Sequence, residues 1–217
     1  MIDYVAARTA MVDCQVRPSD VTRYPIIAAM LGVPRERFVP GEAAAVAYMD
    51  ENIQLSSNRA ILAPRTLAKM LDAVEFDGSE LVLNVGTNHG YTAAILARLA
   101  EAVVALEEDP ILAASAATAL SEAGADNVAV EEGPLVAGAA GLGPYDVIFI
   151  DGAVETLPPA LVDQLRMDGR IILLRSQGPL CYAELGVKGP NGISTRRLFD
   201  ATAPVLPGFS TDPAFIF

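Results

Sequence analysis

The chain has 217 residues, of which 52% are hydrophobic and 19% charged, with a formal net charge of −12. That balance excludes a disordered chain, which needs low hydrophobicity, and the length is enough to bury a core without disulfides or a structural metal. So acidic a surface offers no basic stripe to a phosphate backbone, so nucleic acid is not an expected partner.

The first residues, Met1-Ile2-Asp3-Tyr4, place an acid where a secretory leader carries base, and no apolar run reaches bilayer-spanning length. Cys14 and Cys181 are the only cysteines and His89 the only histidine, too few for a disulfide framework or a zinc site. A metal-free cytoplasmic protein with no membrane partner is expected. In chain order, Val21, Ile26, Ile27, Met30 and Leu31 recur near helical spacing, with Asp20 or Thr22 as N-cap, and the helix stops at Gly32 before Pro34. Residues 40–60 read as loop with short helical pieces. Pro64 opens an amphipathic helix through Leu67, Met70, Leu71 and Val74, ending before Asp77-Gly78.

From residue 80 the pattern alternates. Apolar strands are expected at 81–85, 102–106, 128–130, 147–150 and 171–174, with helices at 91–99 and 110–123. Continuously apolar strands separated by helices indicate a parallel sheet covered on both faces. Residues 181–187, 193–198 and 214–217 read as closing strands. The expected fold class is α/β, doubly wound and mostly parallel (Rossmann-like), with an antiparallel C-terminal strand. Residues 1–78 would form a helical N-terminal extension with loop, and 79–217 the α/β domain.

In such a sheet a ligand lies beyond the carboxyl ends of the strands, beside the first. That loop reads Asn84-Val85-Gly86-Thr87-Asn88-His89-Gly90-Tyr91. Glu107 follows Gly86 by twenty-one residues, a spacing that suits a carboxylate accepting from both ribose hydroxyls of an adenosine ligand. A plain tight turn followed by the solvated acidic run Glu107-Glu108-Asp109 is the competing account. The Gly-x-x-x-Gly spacing, rather than Gly-x-Gly-x-x-Gly, speaks against a dinucleotide site and a nicotinamide oxidoreductase. His89 is expected to be an exposed loop residue, and Arg35, Arg37, Arg196 and Arg197 solvated charges. Cys14 and Cys181 would be core or half-buried. Asp151-Gly152 is either an acceptor-binding position or an Asp-Gly turn.

Taken together, Pro34-Arg35-Glu36-Arg37-Phe38-Val39-Pro40, Ile61-Leu62-Ala63-Pro64, Val85-Gly86-Thr87 with Gly90-Tyr91, Ala105-Leu106-Glu107, Asn127-Val128-Ala129-Val130 with Gly133, and Pro144-Tyr145-Asp146-Val147-Ile148 follow one another as in a known family. The chain resembles the protein-L-isoaspartate O-methyltransferases over roughly residues 8–175. The resemblance implies the class I methyltransferase fold and S-adenosyl-L-methionine (SAM) as cofactor, bound by Gly86, Thr87, Asn88, Gly90, Tyr91, Glu107, Glu108 and Gly133. It implies isoaspartyl-containing proteins or peptides as substrates, with repair of damaged protein as the purpose, and Asp151 near the acceptor.

The chain departs from the family pattern at polar positions. Asn84 replaces an acid, Asn88 a glycine and Pro134 the aspartate that faces adenine, with Glu132 the nearest substitute. Leu62 stands where the family's catalytic-site serine is expected. Carboxylate methylation needs alignment rather than a general base, because an α-carboxyl is ionised at neutral pH. Loss of one hydrogen bond to a charged group weakens such a site roughly 10- to 100-fold without abolishing it. Two other readings therefore stay open: a member that has lost repair activity or cofactor binding and acts as a binding protein, and a methyltransferase with a different acceptor.

Overall fold

A computed structural model describes residues 2–211. The strand expected at 214–217 lies outside the described residues. The chain opens with α1 (Tyr4–Met11), capped by the Asp3 side chain, which accepts from the Ala6 N–H at 3.0 Å. One tighter and one wider turn follow before α2 (Tyr24–Gly32). Neither Asp20 nor Thr22 caps α2. Arg23 holds that position, because Asp20 is used one step earlier, closing the preceding turn at φ 67°. Pro25 falls in the first turn of α2, where its missing N–H costs nothing.

Residues 40–60 contain more order than expected. Beyond a short helical stretch, β1 (Ile53–Ser56) and β2 (Arg59–Ile61) form an antiparallel hairpin, with Ile53 opposite Ile61 and Gln54 opposite Ala60. The elements are too short, and too rich in Gln54, Ser56 and Asn58, to show a period. Next come α3 (Pro64–Val74), β3 (Leu81–Val85), α4 (Tyr91–Leu96), β4 (Ala102–Glu107), α5 (Pro110–Glu122) and β5 (Val128–Glu132). The chain then continues through β6 (Tyr145–Val154), α6 (Pro159–Asp163), β7 (Leu165–Gln177), β8 (Leu180–Gly189) and β9 (Gly192–Asp200).

The main sheet has the order β5-β4-β3-β6-β7-β8-β9. Strands β3 to β7 pair in parallel, and β8 and β9 close the sheet antiparallel. The strand order switches at β3: β4 and β5 are added on one side of it, and β6 onward on the other. Side chains alternate across the sheet, as a period of two requires. Val82, Val103, Val147, Phe149 and Ile172 join one core cluster with α2, α3 and α4 residues such as Met30, Leu67 and Ile95. Leu83, Val85, Leu106, Ile148 and Ile150 face the other, with Leu161 of α6 and with Leu206 and Phe209 from the segment after β9. The first cluster runs without interruption from Met11 to Leu185, so the N-terminal helices and the sheet share one core.

Candidate active site

The carboxyl ends of β3, β4 and β6 meet the hairpin and the segment after β9. The loop from β3 is held by the Gly86 and Thr87 N–H groups, which donate to the Leu106 carbonyl at 2.9 and 3.2 Å. Gly86 has φ 77° and Gly90 φ 93°, values open to glycine at little strain. Asn88 takes the left-handed region too, at φ 54°, and its amide holds it there by donating to the carbonyls of Gly86 (3.0 Å) and Ala60 (3.3 Å). Tyr91, the first residue of α4, is buried against Phe38.

Glu107, the last residue of β4, is fully buried. One oxygen, Oε1, accepts from the Glu108 N–H (2.9 Å), from the Asp109 N–H (3.1 Å) and from the Arg59 guanidinium, an ion pair buried on both sides. The other, Oε2, accepts from the Asn88 N–H at 2.9 Å. The Gly133 N–H donates to the Glu107 backbone carbonyl at 3.0 Å, which brings the β5 end to the same edge. Of the acidic run, only Glu107 turns inward. Glu108 is half-buried and Asp109 caps α5 through the N–H groups of Ile111 and Leu112. Glu132 is exposed.

Asp151 is a buried strand residue and not part of a turn. The β6–β7 register shifts between Phe149 and Ala153, and this irregularity turns Asp151 inward at the end of β6. Burial pushes its carboxyl up to about 7, while Thr92, Arg35 and Arg59 pull the other way. Arg35 is likewise no solvated charge: it is fully buried, donates to the carbonyls of Ala47 (2.7 Å) and Leu62 (2.8 Å), and lies 4.6 Å from the centre of the Tyr91 ring. Burial lowers its pKa. Leu62 follows β2 and is buried, presenting an alkyl group where a hydroxyl was expected. His89 is half-buried, with Nδ1 2.8 Å from Ser115 Oγ, and burial lowers its pKa. Cys14, expected in or near the core, is exposed, whereas Val12 and Val16 of the same turn are buried; Cys181 is half-buried.

Sequence reading missed Arg59 altogether. A lone arginine in a polar stretch carries no local signal; only the pairing of β1 with β2 aims it at Glu107. Among the described residues, the buried side-chain polar atoms without a partner include Arg59 Nη1, Asn84 Oδ1, Thr87 Oγ1, Asn88 Oδ1, Tyr91 Oη and Asp151 Oδ1, all along this one edge. Buried polar atoms are ordinarily bonded, so this concentration marks a place built to receive polar groups. No set of three or more acidic, histidine or cysteine side chains among the described residues is placed to hold a metal.

Residues 7–180 match the model of the protein-L-isoaspartate(D-aspartate) O-methyltransferase family. The protein-L-isoaspartate O-methyltransferase of Gloeobacter violaceus is 37% identical over 163 residues, covering 75% of this chain and 80% of that one.

The chain belongs to this family. A second relative, protein-L-isoaspartate O-methyltransferase 2 of Geotalea uraniireducens, is 34% identical over 197 residues, 90% of each chain. Among solved structures, a protein-L-isoaspartate O-methyltransferase superposes with a TM-score of 0.81 at 23% identity, covering 93% of this chain and 66% of that longer one. The Plasmodium falciparum β-aspartate methyltransferase in complex with S-adenosyl-L-homocysteine superposes at 0.77 and 20% identity, covering 95% of this chain and 99% of that one. At these identities the likeness carries the Rossmann-like methyltransferase fold.

Proposed function

We propose that this protein is a SAM-dependent O-methyltransferase that methylates the α-carboxylate of isoaspartyl residues in proteins. The observation that carries the reading is Glu107, a buried carboxylate at the end of β4 facing the Gly86 wall, in a chain whose family match spans both. The residues fit an adenosyl group once the Arg59 side chain is displaced. Glu107 would offer its oxygens to a ribose, Gly86 adds no side chain of its own, and Thr87, Asn88 and Asn84 hold unpartnered polar atoms beside it. SAM supplies a methyl group already activated on sulfur.

The protein's own contribution is alignment of the acceptor, which effective-molarity comparisons value at up to about 7–11 kcal/mol. Asp151, Arg35 and Leu62 lie buried near this edge, with Arg35 donating to the Leu62 carbonyl, and Leu62 has no side-chain donor for an acceptor. An open groove of about 700 Å³ reaches Ala63, next to Leu62, and is walled by Asn52, Arg65 and Thr202. Its polar lining suits an extended polypeptide acceptor. Among the described residues no helix is long and apolar enough to cross a membrane. Free Cys14 and Cys181 agree with a reducing cytoplasm, and the −12 charge with a non-nucleic-acid substrate.

Calorimetric titration with S-adenosylhomocysteine, followed by methyl incorporation into an isoaspartyl peptide and its aspartyl counterpart, tests this. Binding together with transfer to the isoaspartyl peptide alone is the expected result. Binding without transfer to either peptide would move the reading to another acceptor, and no binding would return it to a partner-binding protein.

A further inference from the structure

The carboxylate that would hold the cofactor's ribose is already engaged. Arg59, only 5% exposed, sets its guanidinium against Glu107 Oε1. Its other terminal nitrogen, Nη1, lies 2.8 Å from where a Cβ on Gly86 would stand. One side chain thus covers both the ribose acid and the glycine wall. Leu206 lies beside it, with Cδ1 3.3 Å from that same Gly86 point and Cγ 2.6 Å from the equivalent point on Gly152.

This cover is incompletely satisfied. Arg59 Nη1 has no acceptor, and neither Thr87 Oγ1 nor Asp151 Oδ1 has a partner. Unpartnered buried polar atoms raise the free energy of the closed arrangement, which favours any ligand able to displace the cover and bond them. The backbone under Arg59 need not move for that to happen. Ala60 pairs with Gln54, its carbonyl accepts from the Asn88 amide, and Ile61 pairs with Ile53. Only the long, rotatable arginine side chain has to swing.

We propose that Arg59 is an internal latch: its guanidinium holds Glu107 in the ligand-free protein and must leave when an adenosyl ligand enters. The inference rests on the function proposed above. Ligand affinity is then lowered by the fraction of molecules in which the latch is closed. When the ribose takes Glu107, the freed guanidinium stays at the mouth of the site on β2, two residues before Ile61 and three before Leu62.

The test is calorimetric titration of the wild type, Arg59→Ala and Arg59→Gln with S-adenosylhomocysteine. The latch predicts that Arg59→Ala binds about tenfold more tightly or better, from loss of a competing charged hydrogen bond. Arg59→Gln, which keeps a donor for Glu107 and so preserves the fold if alanine does not, should fall between. In the wild type, the Arg59 guanidinium protons should exchange slowly without ligand and rapidly at saturation, read by proton-detected NMR. Wild-type binding with equal or weaker binding by both variants, and no change in guanidinium exchange, overturns the latch and leaves the functional reading intact. No binding by any of the three overturns both.

Discussion

The two ends of the sheet each carry a buried glutamate paired with an arginine, in opposite states of completion. At the amino ends of β3 and β7, Glu80 accepts from the N–H groups of Asp77 (2.9 Å) and Gly78 (3.0 Å) and from Arg170 at 3.0 Å. Arg170 spends its other nitrogen on the carbonyls of Val74 and Glu75. Nearby, Asp146 accepts from the Leu81 N–H and from Arg166. Every one of those groups is used, and the cluster ties α3, β3, β6 and β7 into one frame. At the carboxyl ends, Arg59 and Glu107 are buried among atoms with no partner. A closed polar network stabilises and orders; an incomplete one holds free energy that a ligand can release. The fold is braced at one edge and left unfinished at the other.

Breaking the unfinished edge should have the largest effect. Glu107→Ala would strand the buried Arg59 charge and three backbone donors, costing about 3–5 kcal/mol in urea unfolding and abolishing S-adenosylhomocysteine binding in calorimetry. The next effect is one of pH. Because the Asp151 carboxyl is raised to about 7 in the folded protein, against 3.8 ordinarily, the folded state binds the extra proton between these values. Its contribution to stability is therefore greatest near pH 4 and falls as pH rises toward 7, by up to about 4 kcal/mol. Asp151→Asn should remove that slope, seen as the difference between wild-type and variant unfolding curves across this range.

Effects at the braced edge should be smaller and purely structural. Glu80→Ala frees two backbone donors and Arg170, costing about 2–3 kcal/mol, with no change in S-adenosylhomocysteine affinity. A shift in that affinity would show that the two edges are coupled. Arg166→Ala should be smallest of all, below about 1 kcal/mol, because that arginine is half exposed; thermal unfolding measures both.

How much of this was legible follows from what each signal depends on. The core strands β3, β4, β6 and β7 were readable because burial on both faces demands continuous apolar residues, and α3 because its apolar stripe is clean. The place of Glu107 at the end of β4 was readable from the apolar run before it. Arg35 was not, since a charged side chain is mostly exposed and only the carbonyls of Ala47 and Leu62, distant in sequence, make its burial possible. Asp151 read as a turn because an Asp-Gly pair resembles one; the register irregularity that extends β6 past it depends on pairing with β7. Arg59 depends wholly on tertiary placement, as its partner lies 48 residues away.

The segment after β9 has a consequence in time as well as in space. Among the described residues the last full strand ends at Asp200, yet the residues that cover the Gly86–Glu107 edge come later. The Ala153 N–H donates to the Pro204 carbonyl and the Leu206 N–H to the Ala153 carbonyl, both at 3.0 Å, and the Phe209 carbonyl accepts from Glu155 and Thr156. A chain emerging amino end first can therefore pair β3 to β9 while the carboxyl edge around Gly86 and Glu107 is still uncovered, and among the described residues that cover is added last.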